Sequence, residues 1–276
     1  MFLKDRINFV YELTINKYFK KNKMSLKDLA KIVDEAALNA KPISQLSLEN
    51  EFSEKEAYEI QANSMARRYN RGEKLVGVKL GFTSKAKMIQ MGVHDMIWGR
   101  LTDKMLIGKN TNILLEKFIH PRAEPEICFL VKKEISKEVP MSEIKQYIHG
   151  VAGAIEIIDS RYQNFKFSLE DVIADNCSSA GFVIGKWHNV DTPIEDLKMD
   201  LYINGEVVQT GSSKAILGNP WESVVAASRL CAQYGQVIRA GSYIMAGAAT
   251  SAVFLEKNQT VKVEVETLGT VQFSIQ

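Results

Sequence analysis

Apolar residues between Ser25 and Gly72 recur every three or four positions, the spacing that lines one face of a helix. Leu29, Ile32, Val33, Ala36 and Ala37 form one such stripe, and Ala57, Ile60, Ser64 and Met65 form a second. Each stripe is preceded by a serine with an acid three residues on, Ser25 to Asp28 and Ser53 to Glu56. A serine hydroxyl accepts from an otherwise free first-turn amide, and the acid favours the positive end of the helix dipole, so both pairs predict helix starts. Gly72 is a natural stop, and residues 6–21 predict a further helix upstream. From Leu75 the period changes. Short runs of strand length and β-branched content follow at 75–80, 126–131, 153–158, 181–184, 201–208 and 261–266. Asn204-Gly205, set between apolar runs, predicts a two-residue hairpin turn. One helix interrupts the strands: Asn219 is its cap, Pro220 fits its first turn, Glu222 supports the dipole and Gly235 ends it. The pattern predicts an α+β chain, with a helical N-terminal region over 1–74 and a β-rich catalytic domain over 75–276.

Composition narrows the classes without choosing among them. The 276 residues are 46% hydrophobic and 25% charged, ordinary for a globular protein with a large core. A net charge of +2 gives no electrostatic reason to expect nucleic acid or an anionic membrane as partner. Cys128, Cys177 and Cys231 are widely spaced and odd in number. They build neither a metal cluster nor a disulfide framework, which points to a reducing cytoplasm. The N-terminus carries no secretory pattern, and the longest uncharged stretch, 240–255, is broken by glycines and hydroxyl residues and is too short to span a bilayer. A soluble protein is expected.

Chemistry concentrates in two acidic segments. In an extended His120-Pro-Arg-Ala-Glu124-Pro-Glu126, the two glutamates project from one face, about 7 Å apart. Glu156 stands alone in the apolar run 151–158, where an unpaired charge costs several kcal/mol. A divalent ion held by Glu124, Glu126 and Glu156 answers all three, and oxygen-only ligation favours Mg²⁺ or Mn²⁺ over zinc, with Asp159 as a reserve ligand. The competing reading has Glu124 and Glu126 facing solvent and Glu156 paired with Arg161 or Arg122. Lys79 shares a strand face with Gly77 and Gly81, which would leave open space beside its amine for an anionic substrate. The alternative is an exposed lysine between turn glycines. Residues 174–181 pack small hydrogen-bonding groups before a strand, suited either to binding a carboxylate or carbonyl or to an ordinary turn. Cys177 has no histidine context for a nucleophile, and His94, His120, His149 and His188 show no metal or triad spacing.

These segments together resemble the fumarylacetoacetate hydrolase superfamily, in its hydratase/decarboxylase branch from catechol meta-cleavage pathways. The resemblance rests on Gly77–Val93, Trp98–Asp103, Pro121–Glu126, Glu156–Tyr162, Asn164–Phe167 and Ala174–Ser179, in that order. Cys177 and Ala248-Ala-Thr250 depart from the branch's usual residues. The resemblance implies a mixed β-roll core behind a helical N-terminal part. It implies metal ligation by Glu124, Glu126 and Glu156, an active-site lysine at Lys79 and a substrate-contacting hydroxyl at Ser178. The implied activity is Mg²⁺-dependent decarboxylation of a small 2-oxo dicarboxylate, 2-oxo-3-hexenedioate, with hydration of the derived dienol as the alternative. A homo-oligomer and a complex with the pathway hydratase are the implied assemblies. A third activity, hydrolysis of acylpyruvates, needs a base near the carboxylates, for which His94 and His120 are the nearest histidines in sequence.

Overall fold

The computed structural model describes residues 24–84, 88–89, 95–108 and 111–276. The helix expected over residues 6–21 lies outside them. Both serine caps form as the sequence predicts. At the start of α1 (Leu26–Leu38), Ser25 Oγ accepts from the Asp28 amide at 3.2 Å, and at the start of α2 (Glu54–Asn70) Ser53 Oγ accepts from the Glu56 amide at 3.3 Å. The apolar stripes of the two helices are buried, with Leu29, Val33, Ala57 and Ile60 among the least exposed residues. Asp34, buried on α1, joins the helices by accepting from Arg67 at 2.8 Å and Arg71 at 2.6 Å.

The strands are β1 (Leu75–Gly81), β2 (Ile97–Thr102), β3 (Asn112–Ile113), β4 (Arg122–Val131), β5 (Ile148–Ile158), β6 (Ser179–Ile184) and β7 (His188–Asn189). They continue with β8 (Lys198–Ile203), β9 (Glu206–Ser212), β10 (Tyr243–Ala248), β11 (Val253–Phe254), β12 (Thr260–Val265) and β13 (Gly269–Ile275). Helices α3 (Met141–Ile144), α4 (Leu169–Ala174) and α5 (Pro220–Gln233) fall between them. One sheet has the order β2-β1-β10-β4-β5-β6, with β11 beside β4 and β7 beside β5; the other runs β3-β13-β12-β8-β9. β1 and β10 are parallel and so are β13 and β3, which makes both sheets mixed. The predicted hairpin joins β8 to β9: Asn204 and Gly205 have φ of 52° and 88°, the paired positive angles of a mirror-image turn. The predicted cap of α5 is also present, with Asn219 Oδ1 accepting from the Trp221 amide at 3.1 Å.

The larger sheet curls until its ends meet. After β2 the chain pairs with β6, where the Ile107 amide donates to the Phe182 carbonyl and the Phe182 amide to that of Met105, each at 2.9 Å. The register fixes what faces into this roll. Lys79 lies beside Met245, Met245 beside Cys128 and Cys128 beside Ala152, while Glu124 lies directly opposite Glu156. Side chains alternate faces along a strand, so Lys79, Glu124, Glu126 and Glu156 share the inner face. Its depth is plugged by Leu101, Met105, Cys128, Ala154, Phe182 and Met245, all buried. The outer face carries the main core, in which Val78, Ile127, Phe129 and Ile155 pack with α1, α2, α5 and the second sheet. The fold is α+β, with N-terminal helices ahead of a mixed β-roll.

β2 passes so close to the loop after α4 that a Cβ on Gly99 would sit 2.6 Å from the Asn176 carbonyl oxygen. The Asn176 side chain ties the two together, accepting from the Arg100 amide at 2.7 Å and donating to its carbonyl at 2.9 Å. Gly99→Ala is therefore expected to lower unfolding free energy by about 1–3 kcal/mol in urea titration, because backbone must yield to the added methyl. An unchanged midpoint would show that the loop relaxes freely.

Candidate active site

Three acids meet because two strands pair in one register. Glu124 and Glu156 are direct cross-strand partners, and Glu126 is the next residue on the same face of β4. The three can each offer an oxygen such that all lie within 4.8 Å of one another, and all three residues are buried. Like charges placed opposite each other in a sheet repel, and in a buried site little water screens them. The solvent-facing alternative for Glu124 and Glu126 is thereby excluded. Glu126 Oε2 accepts from the Gly247 amide at 2.8 Å, whereas Glu126 Oε1 and both Glu156 oxygens are buried and, among the described residues, receive no aligned hydrogen bond. Buried oxygen donors with vacant lone pairs, held this close, suit a hard divalent cation. Without one, burial and then the Glu156 carboxylate push the Glu126 pKa well above the ordinary range, and burial likewise raises that of Glu156 against the pull of Lys79.

Lys79 is buried in the same inner face, its Nζ 3.1 Å from Glu156 Oε2 and donating to the Cys177 carbonyl at 3.2 Å. Burial alone would drive the ammonium towards neutrality, but Glu156, assisted by Cys177, Glu126 and Glu124, outweighs it and raises the pKa above an ordinary lysine's. Lys79, not Arg161 or Arg122, is the ion-pair partner of Glu156. The glycines around it do two things. A Cβ on Gly77 would collide with the Tyr243 backbone and one on Gly81 would press on Ile97, so both admit neighbouring chain, and Gly81 lines with Lys79 the open space expected beside the amine.

The segment after α4 is neither strand nor ordinary turn. Asn176, Cys177 and Ser178 have φ of 49°, 53° and 57°, three successive left-handed residues that each cost energy in an L-amino-acid chain. Neighbouring bonds hold them there: Arg161 pairs with Asp175 below this turn, and Asn176 is tied to β2. The turn delivers Ser178 Oγ, buried and without a hydrogen-bond partner among the described residues, to the wall of the cavity beside Lys79. Burial pushes the Cys177 thiol up to about 12 despite Lys79 nearby, so it is protonated and no nucleophile. Asp159 is not a reserve ligand: its carboxylate accepts from the Ile119 and His120 amides at 2.8 Å each.

The cavity has a volume of about 470 Å³ and is lined at one end by Lys79, Glu124 and Ser178, and elsewhere by Thr83, Ile97, Arg122, Phe165 and Phe167. The sequence reading missed Gly247. This residue has φ of 105° in a bulge of β10, where three residues span two on β4, and a Cβ there would strike Thr83. A glycine breaking the apolar run 243–248 is the signal for such a bulge, which here turns an amide onto Glu126.

A curled mixed sheet with three buried carboxylates and a lysine at its mouth defines the class of a β-roll enzyme built to hold a divalent ion. The chain belongs to the fumarylacetoacetate hydrolase family, whose Fumarylacetoacetate (FAA) hydrolase C-terminal profile matches residues 74–276. It is 49% identical over 251 residues to a 4-oxalocrotonate decarboxylase from a Pseudomonas species, covering 91% of this chain and 98% of that one. It is 31% identical to a 2-keto-4-pentenoate hydratase from Paraburkholderia xenovorans, covering 89% and 93%. Among solved structures it superposes with TM-score 0.88 on the 4-oxalocrotonate decarboxylase from Pseudomonas putida G7 complexed with magnesium and adipate, at 34% identity, covering 92% of this chain and all of that one.

The raised carboxylate pKa values set a sign. A glutamate that holds its proton more tightly folded than unfolded contributes stability below about pH 4.5, and loses it as pH rises towards the folded value. In metal-free protein, Glu126→Gln should therefore melt above wild type, by a margin that widens from about pH 5 to about pH 8. Mg²⁺ should raise the midpoint of wild type and leave that of Glu126→Gln nearly unmoved. Thermal melts with and without Mg²⁺ check this, and a margin that narrows with pH would contradict it.

Proposed function

We propose that this protein decarboxylates 2-oxo-3-hexenedioate (4-oxalocrotonate) to 2-hydroxypenta-2,4-dienoate and CO₂, with Mg²⁺ bound by Glu124, Glu126 and Glu156. The observation that carries this reading is the buried carboxylate triad with Lys79 3.1 Å from Glu156, in a chain 49% identical to a 4-oxalocrotonate decarboxylase over nearly its whole length. Mn²⁺ suits the same oxygen donors. The bound ion supplies Lewis acidity towards a 2-oxo acid and offsets the charge of its three ligands.

The chain's own groups divide the remaining tasks. Loss of CO₂ from the far end of the substrate sends an electron pair through the conjugated system, and negative charge develops on the 2-oxo oxygen. Lys79, whose proton is held above the ordinary lysine value, serves that charge as a fixed ammonium. Ser178 Oγ, with no hydrogen-bond partner among the described residues, donates to the substrate's carboxylate or carbonyl. Ile97, Phe165, Phe167 and Val172 line the cavity with apolar surface and keep the field of the lysine unscreened. No described histidine lines the cavity, so none of these can serve acylpyruvate hydrolysis as its base.

We read residues 1–74 as the helical region and 75–276 as the catalytic domain. The proposed setting is the cytoplasm, in keeping with three buried free cysteines and with the lack, among the described residues, of a helix long and apolar enough to cross a membrane. A homo-oligomer and a complex with the hydratase that consumes the dienol complete the proposal.

Purified protein with Mg²⁺ should release CO₂ from 2-oxo-3-hexenedioate and leave 2-hydroxypenta-2,4-dienoate unhydrated; the reverse outcome would make it the hydratase. Lys79→Ala should lower kcat by roughly 10²–10³-fold, as expected for loss of one group aimed at developing charge. Borohydride added during turnover should trap no adduct. A stable adduct at Lys79 would replace the electrostatic role with a Schiff base.

A further inference from the structure

The cavity has a second charged end that the decarboxylation chemistry above leaves unused. Arg122 lies two residues before Glu124 on β4 and so on the same inner face, one step further out from the carboxylate triad. Its guanidinium is clamped between two rings, with the central carbon 4.0 Å from the centroid of Phe165 and 4.0 Å from that of Phe254. Phe165 is brought there by a backbone that bears strain, since Asn164 and Phe165 have φ of 58° and 57°. Rings on both faces leave the N–H donors pointing outward in the guanidinium plane, the orientation that meets a carboxylate edge-on. Nε is buried without a hydrogen-bond partner among the described residues, and the charge that acts on the guanidinium from within those residues is the Glu124 carboxylate, two positions on. The residue lines the same cavity as Lys79, Glu124 and Ser178.

We propose that Arg122 is the specificity-determining residue for the distal carboxylate of a dicarboxylate substrate, with Phe165 and Phe254 as its positioning clamp. The inference rests on the decarboxylase reading for the identity of the substrate. The dimensions agree: an extended six-carbon diacid separates its carboxyl carbons by about 6 Å, with bonds of about 1.5 Å. Same-face neighbours on a strand are spaced by about 7 Å. A 2-oxo acid seated at the triad is thus long enough to bring its far carboxylate to Arg122.

The reaction decides what this contact does to the rate. The C5–C6 bond breaks, its electron pair moves through C3–C4 to the C2 oxygen, and that oxygen takes up one proton, giving the dienol and CO₂. The carboxylate held by Arg122 becomes neutral CO₂, so the ion pair is strongest in the ground state and fades as the bond breaks. Such a contact lowers KM without raising kcat. It selects a dicarboxylate over a 2-oxo acid that ends in a methyl or vinyl group.

Calorimetric titration of the Mg²⁺-loaded protein tests this with two probes, adipate and 2-oxobutanoate, on wild type, Arg122→Gln and Phe254→Leu. Arg122→Gln should bind adipate about 10–100-fold more weakly, the loss typical of a charged hydrogen-bonded partner, and 2-oxobutanoate within about threefold of wild type. Phe254→Leu, which keeps the guanidinium and loosens one side of its clamp, should shift adipate in the same direction by less. With 2-oxo-3-hexenedioate, Arg122→Gln should raise KM by a similar factor and leave kcat equal or higher. Equal weakening of both probes, or a fall in kcat at constant KM, would overturn the proposal and place Arg122 in the service of Glu124. Should wild type fail to release CO₂, the decarboxylase reading falls, while the contrast between the two probes still decides the role of Arg122.

Discussion

Glu124 faces Glu156 across the β4–β5 ladder with Glu126 beside them, and much of the surrounding structure can be understood as the management of that repulsion. Three carboxylates in a dry interior are unfavourable unless charge is brought to them or protons are retained. The fold brings charge from two sides. Lys79 arrives from β1, and the Gly247 amide is turned inward by a bulge in β10. Neither contact satisfies Glu126 Oε1 or aligns a hydrogen bond on Glu156. An arrangement that is costly without a bound ion would favour one on binding, a common exchange of stability for function at such sites.

The helical region ahead of the roll is tied to this chemistry through a short buried network. Gln61 on α2 donates to the Ile173 carbonyl on α4 at 2.9 Å and to the Trp98 carbonyl on β2 at 3.2 Å, and accepts from Arg100 at 2.5 Å. Arg100 in turn bonds through its backbone to Asn176, in the left-handed turn that carries Ser178. Three successive residues with positive φ are tolerable only where such bonds over-determine them. The N-terminal helices thus do more than cover one face of the sheet: they brace the two segments between which the turn is stretched.

Much of this was legible in sequence, and for local reasons. Serine caps, the Asn204-Gly205 turn and the Asn219-Pro220 helix start depend on neighbours within four residues, so they are recovered at the expected places. The glutamate triad was selected because a strand puts i and i+2 on one face and an isolated acid in an apolar run requires a partner. What escaped was set by long-range pairing. β2 and β10 contain Gly99, Arg100 and Gly247, which argue against strands until the close approach to Asn176, the link to Gln61 and the bulge are seen. Gly77 was misread for the same reason, since only the partner strand shows what fills the space beside a glycine. Asp159 and Arg161 looked available in sequence and were already committed to backbone amides and to Asp175.

The position of β10 also bears on the order in which the site can assemble. β4 and β5 are neighbours in sequence and can bring the three glutamates together as soon as they pair. Lys79 belongs to β1, which is separated from β4 in the sheet by β10, a strand from near the C-terminus. On a ribosome, then, all the acids and the lysine are synthesised well before the strand that lets them meet. Until β10 inserts, the nascent chain carries the carboxylate cluster without either the ammonium or the Gly247 amide, and closure across so long a separation in sequence is slow. A divalent cation, like a retained proton, is compensating charge that needs no part of the chain still to be made.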